Sequence, residues 1–280
     1  MKKGPEDLTM ITELNKQDFY KIRHLTDPCK NIEARAIVNG MNPGRVYADH
    51  PAEPTAALIW IQGQQGYQVV GDARSAVFAE KLGEYMRTRI EPELQKQGIN
   101  GVEIGAEMDT WDETLSAIFG DRYISADNQH VFCLGEQAGA IEFHADAVTI
   151  RPIDRELLTS SRLGNHSFVE EKILHYWESA DVFLQQGLGY YAEHSNHAVS
   201  LCFSAFVAEE THAIDIETLE GYRKNNYGTI VAAALIQEFR RKGIRPYWDC
   251  TPENTGSIRI AQAIGMKPDF DYRIFWYRFS

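Results

Sequence analysis

The sequence predicts an α/β protein with two domains. Its 280 residues are about twice the length of a typical domain. In both halves, apolar runs that are typical of β-strands alternate with segments of helical apolar spacing. A second set of strand and helix signals begins near residue 146. We therefore predict an N-terminal α/β domain over residues 1–143 and a second domain over residues 144–280.

Two strands and two helices are predicted in the N-terminal half. Ala56–Ile61 and Tyr67–Gly71 form a hairpin around a glycine-containing turn. Apolar residues at helical spacing then predict a helix from Ser75 to about Arg89, and Pro92 is expected to end it. Thr110–Glu113 has the form of a capping box, which predicts a second, short helix.

The C-terminal half starts with a strand, Ala147–Arg151, and a helix entry at Pro152–Asp154. A capping box at Ser167–Glu170 predicts one long amphipathic helix that ends at Gly187. The remaining elements are three strands, a helix, a strand, a helix and a strand, in this order: Leu188–Ala192, His197–Val207, His212–Leu219, Thr229–Lys242, Tyr247–Cys250, Asn254–Ile264 and Phe270–Phe279.

Composition and charge limit the classes of partner. Hydrophobic residues make up 44% and charged residues 24%, which are ordinary values for a globular protein. Acidic residues exceed basic ones by 40 to 28, so the net charge of −12 repels nucleic acid and favours cationic partners. The start of the chain lacks the apolar run of a secretion signal, and the stretch Ile230–Ile236 is too short to cross a bilayer. We expect a cytoplasmic monomer or homodimer that binds neither membranes nor nucleic acid.

The cysteines give no sign of a disulfide framework or a metal site. None of them stands in a CxxC motif or at a Cys/His ligand spacing. The four are Cys29, Cys133, Cys202 and Cys250. We expect reduced thiols and no bound metal.

The segment from Ile214 to Thr229 carries the strongest chemical signal, because a strand, a short turn and a helix follow one another. The first N–H groups of a helix have no partner within the helix and attract anions. Asn226 and Gly228 tolerate positive φ, which lets neighbouring amides converge on a phosphate, and Arg223 and Lys224 add positive charge. The alternative is a turn in which Asn and Gly only relieve backbone strain, and the local spacing alone favours that alternative.

The motif Arg223-x-x-Asn226-x-Gly228-Thr229 is similar to the pyrophosphate-binding turn of the GNAT superfamily, the acyl-CoA-dependent N-acetyltransferases. Asn254-x-x-Ser257 and Ala261-x-x-x-Gly265-Met266 resemble a later helix of that family, and Thr149–Ile153 resembles its first strand. The resemblance covers about residues 146–280. It implies a GNAT-like mixed sheet flanked by helices, in which the strand after the turn helix splays away to admit pantetheine.

The resemblance also implies acetyl-CoA as cofactor and a set of cofactor-binding residues. Amides near Thr218 and Leu219 are expected to polarise the thioester carbonyl. The full implied set is Thr218, Leu219, Arg223, Lys224, Asn225, Asn226, Tyr227, Gly228, Thr229, Asn254 and Ser257. Where the family has the first glycine of the turn, this sequence has Asn226. Where many members have a tyrosine that acts as an acid, this sequence has Ala261.

Glu217 is the first candidate for the general base, because it lies on the strand just before the turn. A structural or merely solvated carboxylate is the alternative. His212, earlier on the same strand, is a second candidate for this role if a bulge intervenes, and a surface histidine is its commoner role. Cys250 is the candidate acid for the departing thiolate, and a small buried hydrophobic side chain is the commoner role of such a cysteine.

Three residues are candidates for contact with the acceptor. Trp248 shares a strand face with Cys250, and Ser200 and Cys202 alternate on one face of an earlier strand. Core packing is the alternative for all three.

A narrower resemblance points to the group that includes zwittermicin A resistance acetyltransferases. Gly187–Tyr190, Val199–Ser204, Ile216–Thr218 and Pro246–Cys250 carry it, with weaker signals in the N-terminal half. It implies acetylation of an amino-containing antibiotic. A further hypothesis is that the N-terminal domain is a diverged copy of the same fold.

These observations predict an acetyl-CoA-dependent N-acetyltransferase that acts by direct transfer on a small amine. Two alternatives remain open. One is a catalytically silent acyl-CoA-binding sensor or interaction module, which Asn226 and Ala261 favour. The other is a structural partner protein without a coenzyme A site.

Overall fold

A computed structural model describes residues 10–135, 147–159 and 163–279 of the chain. The chain divides into two compact units. The N-terminal unit comprises residues 1–128 together with 272–280, and the C-terminal unit comprises residues 129–271. The boundary predicted near residue 144 falls among residues 136–146, which lie outside the described part of the chain, and it stays a prediction.

The N-terminal unit is a mixed sheet with helices. Its elements are β1 (Thr12–Leu14), α1 (Arg23–Thr26), α2 (Glu33–Val38), β2 (Gly44–Ala48), β3 (Ala56–Ile61), β4 (Gly66–Gly71), α3 (Ala76–Tyr85), α4 (Glu91–Lys96), β5 (Gly101–Ala106), α5 (Thr110–Ile118) and the first residues of β6 (Ser125–Leu134). Strands β1 to β4 pair antiparallel in chain order, and β4 pairs in parallel with β5. Residues 273–278, at the end of the last strand of the chain, pair antiparallel with β5.

The C-terminal unit has the same kind of sheet. Its elements are the end of β6, then β7 (Thr149–Pro152), α6 (Arg155–Thr159), α7 (His166–Tyr176), α8 (Ala180–Gln186), β8 (Gly189–His194), β9 (His197–Ala208), β10 (Thr211–Thr218), α9 (Tyr227–Lys242), β11 (Arg245–Cys250), α10 (Thr255–Ala263) and the start of β12 (Met266–Arg278). Strands β7 to β10 pair antiparallel in chain order, β10 pairs in parallel with β11, and β11 pairs antiparallel with residues 130–133 of β6.

The two units repeat one topology. Each has a first strand, a helical connection, three antiparallel strands, a helix, and a strand parallel to the preceding one. In each unit, a further strand pairs antiparallel with that parallel strand. This repeat confirms that the N-terminal half is α/β, and it supports the hypothesis that the half is a diverged copy of the C-terminal fold.

Each unit has its own apolar core. In the N-terminal unit, α3 and α5 pack over the sheet, and the rings of Phe78 and Trp111 lie 6.0 Å apart. In the C-terminal unit, α9 packs on β9 and β11, and its buried face includes Val231, Leu235 and Phe239. Burial of such side chains contributes about 1.5–3 kcal/mol each to the free energy of unfolding.

Most predicted elements are confirmed. The hairpin of β3 and β4 has the predicted strands. Helix α9 ends at Gly243, whose φ of 72° is the left-handed conformation that glycine adopts without strain. Asn254 caps α10, since its side chain accepts a hydrogen bond from the Ser257 N–H at 3.1 Å.

Two helix predictions in the N-terminal half are wrong in detail. The helix does not end before Pro92, because a π-helical turn, Met86–Ile90, leads directly into α4. Pro92 directly follows this π-helical turn, and the helix continues past it to Lys96. Thr110 is the first residue of α5 and not its cap, and Asp109, which precedes it, makes no side-chain cap hydrogen bond.

The single long helix predicted before Gly187 is also wrong. The backbone is extended at Trp177, where α7 has ended, and a new helix starts after Ser179. The Trp177 indole is buried and donates to the Ser204 carbonyl at 2.9 Å. The Ser179 hydroxyl accepts from the Val182 N–H and caps α8. This buried tertiary hydrogen bond and the local cap outweigh the helical spacing of the sequence.

No helix in the described part of the chain combines the length and the apolar character that a membrane span requires.

Candidate functional site

Strands β10 and β11 diverge in the C-terminal unit. They pair over three residues only, up to Ala213 and Tyr247. Strand β10 then continues for five residues to Thr218 and keeps its pairing with β9 on the other side. All five of these residues are half-buried, whereas β9 beside them is buried almost throughout. The divergence therefore opens a gap along one edge of β10.

The backbone of β10 offers hydrogen-bonding groups to this gap. The Leu219 N–H donates to the Val199 carbonyl at 2.9 Å, so these two residues are a hydrogen-bonded pair. Antiparallel pairs alternate between bonded and non-bonded. Ile214, Ile216 and Thr218 thus direct their backbone groups away from β9, toward the gap. The Leu219 amide, predicted to face the thioester, is engaged in the sheet instead.

A cavity of about 880 Å³ occupies the gap and the start of α9. Some structural elements in the cavity wall carry basic side chains, and others carry acidic ones. The turn before α9 and helix α10 supply basic side chains, namely Arg223, Lys224 and Arg259. The diverging strands supply acidic ones, namely Asp215, Glu217 and Asp249.

The turn before α9 has the shape of an anion cradle. Lys224 and Asn226 both adopt left-handed backbone conformations, with φ of 65° and 63°. The Ile230 N–H is bonded to the Asn226 carbonyl at 3.2 Å. Tyr227, Gly228 and Thr229 come before this bond, so their N–H groups have no acceptor within the helix. Left-handed non-glycine residues cost about 1–2 kcal/mol each, and such strain is concentrated at functional sites.

Gly228 contributes to the cradle through close packing and not through positive φ. It lies inside α9, and its φ is not in the left-handed region. A Cβ atom at this position would lie 3.2 Å from Thr218 Oγ1 and 3.2 Å from Ile260 Cδ1. A larger side chain would push the helix start away from β10 and α10, and would enter the gap.

Helix α7 faces the acidic wall. Lys172 forms an ion pair with Glu217. Burial raises the pKa of Asp215, although the charge of Lys172 and a hydrogen bond donated by the Tyr176 hydroxyl act in the opposite direction. The two carboxylates of β10 therefore have different partners, an ammonium group for Glu217 and a neutral hydroxyl for Asp215.

Trp248, Asn254 and Ser257 lie together in the cavity wall. The Trp248 indole N–H donates to the Ser257 hydroxyl at 2.8 Å, and Asn254 caps the helix that carries Ser257. This network ties β11 to α10, so the structure brings together the predicted residues of the two elements. Tyr227 and Thr229 are nearly buried at the start of α9.

Asn225 remains exposed in the turn. Its side-chain amide donates to the Tyr222 carbonyl at 3.1 Å and helps to hold the turn shape. Arg223 Nε donates to the Thr218 carbonyl at 3.1 Å, which ties the turn to the end of β10.

Besides Leu219 and Asn225, four predicted residues lie away from the cavity wall. Ser200, Cys202 and Cys250 are buried, and the two cysteines belong to the core under α9. Burial raises the pKa of the Cys250 thiol, although a hydrogen bond with Ser257 opposes this. His212 is buried against Phe239, its Nδ1 lies 2.8 Å from the Ser204 hydroxyl, and burial lowers its pKa to about 4. Ala261 is fully buried, so the position of the family's tyrosine holds no acid.

Three charged side chains of the cavity wall, Asp215, Asp249 and Arg259, were not among the predicted site residues. Asp215 is two residues from Glu217 and Asp249 is two residues beyond the last β10–β11 pair, so strand alternation places each of them on a predictable face. The partners on α7 gave no comparable signal, because the helix was predicted with the wrong boundaries. Within the described ranges there is no group of three or more His, Cys, Asp or Glu that fits a metal ion.

The corresponding turn of the N-terminal unit is filled by its own side chains. The Asp72 carboxylate accepts from the Arg74 N–H at 2.9 Å, and the Ser75 hydroxyl caps α3. Ser75 also donates to the Asp49 carboxylate at 2.7 Å. Parallel pairing reaches Val69, only two residues before the end of β4, so no comparable gap opens along β4.

The N-terminal unit has a cavity of about 920 Å³ between β1, β2 and the helices α3 and α4. Its Arg45 is bonded to Glu13 and Glu93, each at 2.7 Å, which ties its walls together.

Comparison with known proteins gives concordant results. The family model described as GNAT acetyltransferase matches residues 23–275. A Bacillus subtilis (strain 168) protein, the uncharacterized N-acetyltransferase YdfB, is 27% identical over 272 residues, which cover 96% of this chain and 99% of that protein. A GCN5-related N-acetyltransferase-like protein from Streptococcus suis has a similar structure, with a TM-score of 0.65, 18% identity, and coverage of 94% of this chain and 99% of that one. A tandem GNAT protein from the clavulanic acid biosynthesis pathway gives a TM-score of 0.60 at 11% identity, over 95% of this chain and 97% of that one.

Proposed function

Since the chain belongs to the GNAT acetyltransferase family and is an acyltransferase with the mixed α/β fold of that family, we propose that it transfers an acetyl group from acetyl-CoA directly to a small amine. The observation that carries the proposal is that one cavity of the C-terminal unit joins an anion cradle, an open strand edge and an acidic wall.

The cradle fits a coenzyme A diphosphate. Three N–H groups at the start of α9 lack acceptors within the helix, and the positive end of the helix dipole adds about 0.3–1 kcal/mol for a bound anion. Arg223 and Lys224 supply charge at the turn, and Arg259 supplies charge from α10. The close approach of Gly228 to Thr218 leaves the helix start open to a ligand.

The open edge of β10 fits an extended chain with amide groups. Backbone groups of Ile214 and Ile216 face the gap, and their C=O groups and the Ile214 N–H are available to the amides of a pantetheine arm, whereas the Ile216 N–H is hydrogen-bonded to the Asp215 carboxylate. When bound, acetyl-CoA supplies the activated acetyl thioester. The Thr218 N–H then takes the place of Leu219 as the donor that stabilises negative charge on the thioester oxygen, worth about 3–4 kcal/mol.

The acidic wall fits an amine acceptor. Asp215, Glu217 and Asp249 attract an ammonium group to the gap, and a carboxylate there accepts its proton. Deprotonation of a lysine-like amine at pH 7 costs about 4–5 kcal/mol, so the reaction needs such a base. The resemblance to zwittermicin A resistance acetyltransferases makes amino-containing antibiotics one class of acceptor to test.

The experiment measures binding and turnover on the full chain. Calorimetry with acetyl-CoA tests the cradle, and detection of free coenzyme A thiol in the presence of spermidine, kanamycin and other amines tests transfer. We expect binding and amine-dependent thiol release. Binding without release across the panel would favour an acyl-CoA sensor, and absence of binding would refute the proposal.

A further inference from the structure

The two carboxylates of β10, Asp215 and Glu217, have different environments. This difference assigns their roles in the proposed acetyl transfer, and the inference rests on that proposed function. We propose that Asp215 accepts the proton of the attacking amine, and that Glu217 is a positioning residue that holds Lys172 beside the gap. The sequence alone favoured Glu217 as the base.

The first argument is a matched spacing between a helix and a strand. Asp215 and Glu217 lie on one face of β10, about 6.7 Å apart along the strand. Lys172 and Tyr176 are four residues apart on α7, about 6 Å along the helix. Each helix side chain therefore stands opposite one carboxylate, Tyr176 at Asp215 and Lys172 at Glu217.

Packing fixes the hydroxyl that faces Asp215. The Tyr176 ring lies edge-on against Phe203 at 5.7 Å and against Phe206 at 5.4 Å, both on β9. Phe203 is directly opposite Asp215 in the β9–β10 register. Packing against β9 thus fixes the orientation of the Tyr176 hydroxyl that donates to Asp215. This hydrogen bond leaves further lone pairs of the Asp215 carboxylate open to an amine.

The second argument concerns basicity. Glu217 is engaged in an ion pair with Lys172 and would have to give up that pair to accept a proton from an amine. Asp215 has no such direct pair, and burial raises its pKa. The charged and titratable groups that act on Asp215 are Lys172 and Tyr176 from α7 and Glu217 from its own strand. Cys202 of β9 lies on the opposite face of the sheet, under α9, and Asp249 of β11 lines the same cavity.

The third argument is position. Asp215 is two residues beyond the last β10–β11 pair, whereas Glu217 is four residues beyond it. Asp215 is therefore nearer to the point where the strands part, opposite Asp249 and Trp248 in the same cavity. Asp215 thus lies deeper in the gap than Glu217, on the side where the two strands are still paired.

The proton balance of the step is simple. The Asp215 carboxylate takes one proton from the substrate ammonium and becomes a carboxylic acid. The neutral amine forms a bond from nitrogen to the acetyl carbon, and the carbon–sulfur bond breaks with its electron pair on sulfur. The second nitrogen proton goes to that sulfur, directly or through water, and Asp215 then releases its proton to solvent.

The pH dependence separates Asp215 from Glu217. Only the ionised base is active, so activity falls as the pH drops through the pKa of the base. The Tyr176 hydroxyl stabilises the ionised form of Asp215, and a Tyr176→Phe change therefore raises that pKa and moves the acidic limb of the kcat/KM profile to higher pH. The same change leaves the limb in place if Glu217 is the base.

The experiment compares Asp215→Asn, Glu217→Gln and Tyr176→Phe in the full chain, with acetyl-CoA and with spermidine and kanamycin as acceptors. We expect Asp215→Asn to lower kcat by about 10²–10⁴-fold and Glu217→Gln by less than about tenfold, with acetyl-CoA affinity retained in both. A larger loss in Glu217→Gln than in Asp215→Asn, or an unmoved acidic limb in Tyr176→Phe, overturns the inference.

A measurement without acceptor keeps the inference separate from the proposed function. Carbon-13 NMR titration of side-chain carboxyls, assigned through the Asn and Gln variants, reports the pKa of each group directly. We expect the pKa of Asp215 to lie above the ordinary range of an aspartic acid, and a pKa at or below that range overturns the inference even if no tested amine is acetylated. Failure of the wild-type chain to bind acetyl-CoA refutes the proposed function instead.

Discussion

Asn226 gives a sharp test of the anion cradle, because it is the N-cap residue of α9 and makes no side-chain cap hydrogen bond. Asn226→Asp changes an amide to a carboxylate of the same size, and aspartate also tolerates the left-handed conformation. The change places a negative charge beside the N–H groups of Tyr227, Gly228 and Thr229.

The expected effects on stability and on binding have opposite signs. A carboxylate at a helix start adds about 0.3–1 kcal/mol to the free energy of unfolding. Against a phosphate at about 5 Å, the same charge costs about 3 kcal/mol at an effective dielectric constant near 20, and water and salt reduce this value. We expect acetyl-CoA affinity to fall about 10- to 100-fold, while thermal unfolding without ligand shifts to an equal or higher temperature.

Asn226→Gly is the matched control. Glycine keeps positive φ without strain and adds no charge, so affinity is expected to stay within about twofold of wild type. Calorimetry at low ionic strength and again at higher salt measures the electrostatic part, which salt must weaken. The reasoning is refuted if Asn226→Asp binds acetyl-CoA as tightly as Asn226→Gly, since a simple structural turn would gain stability and lose nothing.

Three further predictions follow from other parts of the structure. Acidification from pH 7 to pH 4 is expected to lower the free energy of unfolding by up to about 3 kcal/mol through His212. The reason is that the pKa of His212 in the folded chain, about 4, lies below the ordinary 6.5, so the unfolded chain takes up the proton first. Urea unfolding of His212→Gln must show a smaller loss over this pH range. Ser179→Ala is expected to lower the free energy of unfolding by about 0.5–2 kcal/mol, since Ser179 caps α8, whereas Ser167→Ala, at an exposed position without a cap role, has little effect in the same assay. Titration calorimetry is expected to find one acetyl-CoA per chain, and a second site of comparable affinity would contradict the closed turn at Asp72 and Ser75.

Local signals in the sequence were sufficient for most of the C-terminal unit. Strand composition located β8, β9 and β10, and the glycine after α9 marked its end because only glycine takes that backbone conformation readily. The order strand, turn, helix drew attention to the turn before α9, but the set of cradle residues came from the resemblance to the GNAT superfamily, since the local spacing alone favoured an ordinary turn.

Tertiary contacts decided the features that were predicted wrongly or missed. The break between α7 and α8 depends on a hydrogen bond from Trp177 to Ser204, 27 residues away. Asp215 gained significance only through Tyr176 and through the register with Phe203. The positive φ of Lys224 has no signal in its residue type, since lysine takes that conformation rarely. Periodicity and composition contain no information about such pairs.

The repeat of one topology in both units raises the question of what makes only one of them suitable for an acyl-CoA. The strands and helices are equivalent, so the difference lies in how the helix after the fourth strand begins. In the N-terminal unit, burial opposes ionisation of Asp49, but hydrogen bonds from Thr55 and Ser75 outweigh it and lower the pKa of Asp49, which keeps a negative charge beside the start of α3. Asp72 adds a second carboxylate at the same turn. In the C-terminal unit, the equivalent turn has Arg223 and Lys224, and its first N–H groups have no side-chain cap. Reversal of the charge at one turn, together with the longer stretch of β10 beyond its parallel pairing, therefore distinguishes the half that we propose to bind acyl-CoA from the half that retains the sheet without such a gap.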